Sequence, residues 1–379
     1  MNALGLVFSN IHDNNVPELT QERTMGSIPF LGRYRLIDFA LSNLVNSGVA
    51  KVGLITKSNY QSLMDHVGSG KDWDLARRRG GLHILPPFGL KDNVLYSTRL
   101  EALRGAKNFL ARSDEEYVVM TDCDNVCVMN FDKILTQHKA KNADITLVYV
   151  KKDASSVKDV VSKMVVSTAD NGRVTDISFS PRVQGEINLY TNVCILKRTL
   201  LQTLIADAFS HGYNHFGKDV LVRNVNSLRI FAHEHKGYFV ALNSLQSYYK
   251  ESLKFLDKSV RDEVFKKVDI YTKVKDSAPT RYGASAVVKN SLIADGCVIE
   301  GTVENSIIFR GVKIGRGTVV KNSILMQGTI TGENVSLNSI VADKNVVIKD
   351  RRVLSACESL PFYISKTLSF KKLKFKEIK

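Results

Sequence analysis

The sequence predicts a doubly wound α/β domain followed by a parallel β-helix. Three observations lead to this fold class. Apolar strand-like runs alternate with helical patterns as far as about Leu253, a charged and helix-like stretch follows, and short turn-rich repeats fill the remainder. We therefore predict an α/β domain over residues 1–255, a linker over residues 256–283 and a β-helix over residues 284–379.

The strands of the first domain are predicted from β-branched apolar runs bounded by polar residues. Such runs occupy Lys51–Thr56, Glu116–Asp122 and Asp144–Val150, and their length suits buried parallel strands. Between them lie helical patterns such as "RLIDFALSNLVNSG", which a glycine at position 48 closes. In a sheet of this kind ligands are expected beyond the carboxyl ends of the strands.

The second domain is predicted from a repeating Asn-Ser dipeptide with aliphatic residues after it. The dipeptide begins at Asn290, Asn305, Asn322 and Asn338, in steps of 15, 17 and 16 residues. These steps are close to the roughly eighteen residues of three hexapeptides per coil, and every corner needs a residue that tolerates positive φ. A β-sandwich of short strands would explain the alternation but not this register.

Composition indicates an ordinary globular protein with an excess of positive charge. The chain has 379 residues, a net charge of +15 and 44% hydrophobic residues. No apolar run approaches the roughly 20 residues that span a bilayer, and no signal peptide precedes the first strand, so we expect a cytoplasmic protein. Five scattered cysteines fit a reducing compartment, and Cys123 and Cys127 lack the neighbours of a zinc site.

Three segments resemble the glucose-1-phosphate adenylyltransferase (ADP-glucose pyrophosphorylase) family. They are "PFLGRYRLIDFALSNLVNSGVAKVGLIT" (Pro29–Thr56), "NHFGKDVL" (Asn214–Leu221) and "GYFVALNSLQSYYKESLKFL" (Gly237–Leu256). The resemblance implies a Rossmann-like nucleotidyltransferase domain followed by a left-handed parallel β-helix. It also implies synthesis of ADP-glucose and pyrophosphate from ATP and glucose 1-phosphate, by tetramers that anionic metabolites control.

The phosphate-binding loop of that family is not preserved. Where the family has a glycine-rich turn whose backbone amides bind phosphates, this chain has "LVFSNIHDNNVPELTQERTMGSI". We expect Asp13 and Glu18 to lie where the triphosphate would bind and to repel it. Met25 replaces a family lysine, and Ser97 replaces a glycine that lets the backbone approach the nucleotide.

The metal-binding and sugar-phosphate motifs are also incomplete. By the resemblance, Asp124 is one of the two carboxylates that hold magnesium, and Ala241 stands in the place of the other. We therefore expect at most a residual, weak metal site at Asp124. The sugar-phosphate lysine motif becomes "FSPR", in which Arg182 is a differently shaped cation.

These losses favour a non-catalytic regulatory subunit of the kind that pairs with a catalytic homologue. The resemblance then implies a hetero-oligomer, expected to be a tetramer, with a catalytic ADP-glucose pyrophosphorylase subunit. We expect the lone subunit to need no cofactor and magnesium to act in the catalytic partner. Such a subunit would change the activity and effector response of its partner in glycogen biosynthesis.

An effector anion site is a further expectation. Arg33 and Arg35 fall where the family places basic residues near an effector pocket between the domains. Arginines at a helix start that simply face solvent are the alternative. A second basic group, "RRRG" at Arg77–Gly80 with His83, is better explained as a solvated loop.

Two alternative functions remain open at this point. One is a divergent but active glucose-1-phosphate adenylyltransferase, which the retained Asp124 favours. The other is a basic anion- or nucleic-acid-binding module, for which only "FKKLKFK" (Phe370–Lys376) approaches the required mixture of aromatic and basic residues. We expect no nucleic-acid partner and no membrane partner.

Overall fold

A computed structural model describes residues 1–87, 96–157, 163–179 and 184–366 of the chain. The amino-terminal part is a nine-stranded sheet with helices packed against it. The strands of this sheet are β1 (Ala3–Phe8), β4 (Lys51–Ile55), β5 (Gly81–Leu85), β6 (Tyr117–Asp122), β8 (Ile145–Asp153), β9 (Met164–Thr168), β10 (Val174–Phe179), β11 (Glu186–Lys197) and β12 (Ile230–Glu234). Two small antiparallel pairs join β2 (Pro29–Phe30) to β3 (Tyr34–Arg35) and β7 (Asn125–Cys127) to β13 (Phe239–Ala241).

The sheet is mixed rather than wholly parallel. Strands β5, β4, β1 and β6 are parallel neighbours in that order, as the sequence predicted for Lys51–Thr56 and Glu116–Asp122. The long strand β11 is antiparallel to both β6 and β8. The strand predicted at Asp144–Val150 therefore lies beside an antiparallel neighbour on one side, because β11 enters the sheet between β6 and β8.

The helices cover the sheet and fill the junction with the second domain. They are α1 (Pro17–Thr20), α2 (Leu36–Asn46), α3 (Gln61–Val67), α4 (Arg99–Gly105), α5 (Lys107–Ala111), α6 (Phe131–Ala140), α7 (Arg198–Ser210), α8 (Leu245–Lys254) and α9 (Lys258–Phe265). A π-helix spans Phe216–Val222. Among the described residues, no helix has both the length and the apolar character that a membrane span requires. All five thiols are free.

Helix α2 is buried on nearly every face. Its residues Ile37 and Leu41 pack in the cluster beneath the sheet, whereas Leu36 and Phe39 belong to a cluster that includes residues of the β-helix. The amphipathic pattern of this segment predicts a face that packs on the sheet and leaves open what covers the other face. In the structure that face packs within the same chain, because the β-helix folds back onto it.

The second domain is a left-handed parallel β-helix, which confirms the predicted fold class. Three five-stranded parallel sheets form its sides. The first sheet contains β14 (Arg281–Tyr282), β17 (Val298–Ile299), β20 (Lys313–Ile314), β23 (Ile330–Thr331) and β26 (Val347–Ile348). The second sheet contains β15 (Val287–Lys289), β18 (Thr302–Glu304), β21 (Val319–Lys321), β24 (Ser336–Asn338) and β27 (Val353–Ser355). The third sheet contains β16 (Leu292–Ile293), β19 (Ile307–Ile308), β22 (Ile324–Leu325), β25 (Ile340–Ala342) and β28 (Phe362–Ile364). The first of these strands begins at Arg281, three residues before the predicted start of the domain.

The Asn-Ser repeat marks one corner of the coils. Asn290, Asn305 and Asn322 have φ values of 42°, 47° and 46°, in the left-handed region that asparagine tolerates better than most residues. The Asn290 amide donates to Asn305 Oδ1 at 2.8 Å, so side chains also bond along the stack. The fourth dipeptide slips by one position, because Ser339, with φ 56°, takes the corner rather than Asn338.

The third sheet packs against the α/β domain and carries a buried ion pair to it. Ile307, Ile324 and Val341 lie in the same cluster as Phe30 and Phe39. Nearby, the Arg23 guanidinium lies 2.8 Å from the Asp343 carboxylate, and both side chains are buried. This pair joins the loop after β1 to the last coils of the β-helix.

We predict that Asp343→Ala lowers the free energy of unfolding by about 3–5 kcal/mol, because it leaves the Arg23 guanidinium buried without its carboxylate. Denaturant titration of the full chain measures this loss. The matched control is Asp262→Ala on α9, where the carboxylate contacts two exposed lysines; its removal should cost about 0–1 kcal/mol. Equal losses in the two variants would contradict the assignment of Asp343 as an interdomain tie.

Candidate functional site

A cavity of about 570 Å³ opens beyond the carboxyl ends of β1 and β6, where the sequence placed a ligand site. Residues after β1, including Ile11 and His12, form one side of it. Asp124, which follows β6, lies on the floor, and the wall opposite comes from β11. There a β-bulge between Tyr190 and Val193 places Asn192 in the left-handed region, with φ 62°.

Three of the residues predicted from the degenerate motifs line this cavity. They are Asp124, Ala241 and Ser97. Strand β13 pairs with β7 so that Ala241 lies opposite Asn125, the neighbour of Asp124. By the resemblance this is the position of the second metal carboxylate, and the methyl group of Ala241 offers no ligand.

Met25, the fourth of the predicted residues, is not among the residues that line the cavity. Met25 is buried in the apolar cluster between the domains, with its backbone N–H donating to Asp13 Oδ1 at 2.7 Å. Arg182 lies outside the described residues, as does the aromatic and basic segment Phe370–Lys376. Asp13 and Glu18, expected to face the phosphates, are not among the residues that line the cavity. Burial raises the pKa of Asp13 to about 7, although the Met25 N–H partly opposes it.

An ion-pair cluster that the sequence motifs do not predict lies at the end of β6. Arg99, in the first turn of α4, places its Nη2 atom 2.6 Å from both carboxylate oxygens of Asp122. Its guanidinium also lies 4.8 Å from the centre of the Phe8 ring. Burial alone would lower the pKa of Arg99, but the Asp122 charge outweighs burial and raises it. Burial would likewise raise the pKa of Asp122, and Arg99 and His12 together lower it.

His12 is the second cation of this cluster. Its Nε2 atom lies 2.7 Å from Asp122 Oδ2 and 3.7 Å from Asp124 Oδ2. Burial acts to lower the pKa of His12, yet Asp124 and then Asp122 raise it to about 9. The imidazole is therefore protonated at neutral pH and acts as a counter-ion to both carboxylates.

A second pocket, of about 250 Å³, lies between the two domains and is rich in cations. Both predicted effector residues, Arg33 and Arg35, line it. The other cations around it are Lys273, Lys275, Arg310 and Lys344. Among the described residues, the acidic side chain that lines the same pocket is Asp65.

Burial and the concentration of positive charge in this pocket lower the pKa values of two of its basic side chains. Burial, followed by the charges of Arg35 and Arg23, lowers the pKa of Lys344 to about 7. Burial also lowers the pKa of Arg35 to about 10. Like charges that depress one another are stabilised by an anion, so the pocket is suited to a phosphate or carboxylate ligand. The exposed Arg77–Arg79 loop, in contrast, has an Asp74 partner for Arg77 and faces solvent, as expected.

Comparison with known proteins identifies the family of the chain. Residues 16–227 match the nucleotidyl transferase family, and residues 275–356 match the GlmU-like C-terminal hexapeptide family. The chain is 33% identical over 366 residues to the glycogen biosynthesis protein GlgD of Bacillus subtilis, covering 96% of each chain. It is 36% identical to GlgD of Geobacillus stearothermophilus, covering 84% of this chain and 82% of that protein. The chain belongs to the glucose-1-phosphate adenylyltransferase family.

Proteins named as enzymes are also among the relatives. The glucose-1-phosphate adenylyltransferase of Thermosipho africanus is 32% identical over 328 residues, which are 84% of this chain and 78% of that enzyme. Proteins named GlgD and proteins named as enzymes are thus both similar to this chain. The chemistry of this chain must therefore be judged from the residues of its own cavity.

Magnesium, the metal of this family, does not fit the donor set of the cavity. Mg²⁺ prefers six oxygen ligands in octahedral geometry. Both oxygens of Asp122 are engaged by Arg99, and Ala241 offers no ligand. Asp124 Oδ1 has no hydrogen-bond partner among the described residues, and burial is the main cause that raises the pKa of Asp124. One carboxylate oxygen beside two organic cations is a poor site for this ion.

The lowered pKa of Lys344 predicts a pH-dependent stability. Between about pH 7 and the ordinary lysine pKa of 10.5, the unfolded chain binds a proton at this residue and the folded chain does not. Stability contributed through Lys344 therefore rises with pH in this range, by at most about 1.4 kcal/mol per pH unit. Between pH 7 and pH 9 the free energy of unfolding should increase more in the wild type than in Lys344→Met. Denaturant titrations of both proteins at the two pH values measure this difference. Parallel pH profiles would contradict the buried, cation-crowded environment of Lys344.

Proposed function

We propose that the chain is a non-catalytic subunit that associates with a catalytic glucose-1-phosphate adenylyltransferase and changes its activity in glycogen biosynthesis. The observation that carries this proposal is the ion-pair cluster at the end of β6. There Arg99 and His12 pair with Asp122, and His12 also lies beside Asp124, the one carboxylate that the resemblance assigns to a metal ion. The similarity to proteins named for glycogen biosynthesis supports the same pathway.

The cluster opposes catalysis for an electrostatic reason. Nucleotidyl transfer needs a cation that bridges the attacking and leaving phosphates. Arg99 and His12 compensate the charges of the two aspartates, so a metal ion would have to compete with two cations that the protein itself holds in place. Loss of one preorganised transition-state donor costs about 10²–10³ in rate, and this cavity lacks a metal clamp as well as a glycine-rich phosphate loop. We therefore propose that the lone subunit requires no cofactor and that magnesium acts in the partner.

The β-helix provides surfaces that suit a partner subunit. Its third sheet is covered by the α/β domain, whereas the outward faces of the first two sheets carry exposed apolar side chains. Ile330 and Val347 are neighbours on the first sheet, and Val353 on the second is 74% exposed. Exposed aliphatic side chains on flat parallel sheets favour association, so a hetero-oligomer, proposed as a tetramer, is consistent with these faces.

The interdomain pocket is proposed as the site of an anionic effector. Arg33, Arg35 and Lys344 converge on it from both domains, and their charges are only partly balanced. An anion would stabilise this arrangement and favour one relative position of the domains. If the partner binds one domain arrangement better, the anion and the partner are coupled, typically by about 1–3 kcal/mol.

The decisive experiment mixes the purified chain with a catalytic homologue from the same cell. We expect a stable mixed complex by native mass measurement, together with a several-fold change in kcat or half-saturation of the homologue. A Lys344→Met subunit should still form the complex but should reduce its response to anionic metabolites, whereas Lys349→Met, an exposed lysine of the same domain, should not. If no complex forms and the kinetics of the homologue are unchanged, the proposed function is wrong.

A further inference from the structure

A cluster of two cationic and two acidic side chains lies at the end of β6, and three of them, His12, Arg99 and Asp124, line the cavity. Arg99 binds Asp122 through both carboxylate oxygens, and His12 lies between Asp122 and Asp124. The Asp122 and Asp124 side chains are almost fully buried. Buried carboxylates are stable only when a cation or several hydrogen bonds compensate them.

We propose that Arg99 is a built-in replacement for a divalent cation, and that removing its guanidinium converts His12, Asp122 and Asp124 into a transition-metal site. The native chain, in this proposal, does not bind divalent cations in the cavity. The proposal deepens the proposed function, because it states what has taken the place of the metal and how that replacement can be reversed.

The three remaining side chains have the spacing of a metal site. One ligand atom from each of His12, Asp122 and Asp124 can be chosen so that all lie within 4.8 Å of one another. Asp124 is 2% exposed, lines the cavity, and its Oδ1 atom has no hydrogen-bond partner in the described part of the chain. An imidazole with two carboxylates suits Mn²⁺ or Zn²⁺, whereas Mg²⁺ prefers a shell made only of oxygen.

Arg99 is fixed firmly enough to exclude a metal ion from the native cavity. Besides the bidentate contact with Asp122, its Nη1 atom donates to the Asn192 carbonyl at 3.2 Å. Its side chain is only 10% exposed and rests on the Phe8 ring. A divalent cation placed beside this guanidinium would lose both oxygens of Asp122 as ligands and would meet a like charge at short range.

The test compares Mn²⁺ binding by the full-length wild type and by Arg99→Met, measured from water-proton relaxation and from the shift in melting temperature. Methionine retains apolar contact with Phe8 but carries no charge. The wild type should show no saturable binding at millimolar Mn²⁺, whereas Arg99→Met should bind at least tenfold more tightly. The double variant Arg99→Met/Asp124→Asn should lose this gain. Arg104→Met, an exposed arginine of the same helix, should behave as the wild type.

Each result supports or overturns the proposal. If Arg99→Met folds only when Mn²⁺ is present, the metal has replaced the guanidinium and the proposal is supported. Saturable Mn²⁺ binding by the wild type that Asp124→Asn abolishes would overturn it. So would an Arg99→Met protein that binds no Mn²⁺, or that fails to fold with and without the ion. These measurements use the lone chain, so they can fail independently of the mixing experiment, which concerns the partner.

Discussion

The structure and charge of the cavity at the end of β6 depend on the buried ion pair between Arg99 and Asp122. Asp122 ends the central strand β6 and is fully enclosed, so its charge requires a permanent partner. Arg99 supplies that partner from the first turn of α4, where Thr98 and Glu101 form a capping box that fixes the start of the helix. Side chains of the protein itself therefore occupy a strand end that could hold a metal ion. The cavity above it remains, but it lacks a pair of free carboxylates that could bind the metal.

The loop after β1 stands where the family has its glycine-rich, phosphate-binding turn. This loop contacts both the cavity and the β-helix. His12, near its beginning, contacts the aspartates, and Arg23, near its end, forms the buried pair with Asp343. The residue after Asp343 is Lys344, which lines the cation-rich pocket between the domains. One short segment of the β-helix thus contacts the loop beside the cavity and also lines the cation-rich pocket. This continuity gives a physical route by which an anion between the domains can influence the rest of the chain.

Most of the architecture followed from periodicity in the sequence, and its failures have physical causes. The Asn-Ser repeat predicted the β-helix because each corner needs a residue that accepts positive φ, yet Ser339 takes the last corner and breaks the register. Helix α2 was correctly placed, but its second face meets the β-helix of the same chain, a contact that no local pattern encodes. The degenerate motifs contain Asp124, Ala241 and Ser97, and the fold brings these three residues to one cavity. They did not predict Arg99 and His12, because 87 positions separate these residues in sequence and only strand order brings them together.

We propose that this cavity does not perform nucleotidyl transfer. The most direct measurement is a radiometric assay for ADP-glucose with the lone, highly purified chain, ATP, glucose 1-phosphate and Mg²⁺. The account predicts no product above the enzyme-free reaction, and no difference between the wild type and Asp124→Asn. Product formed by the wild type and abolished by Asp124→Asn would show that a metal ion is still used at Asp124, and would contradict the account.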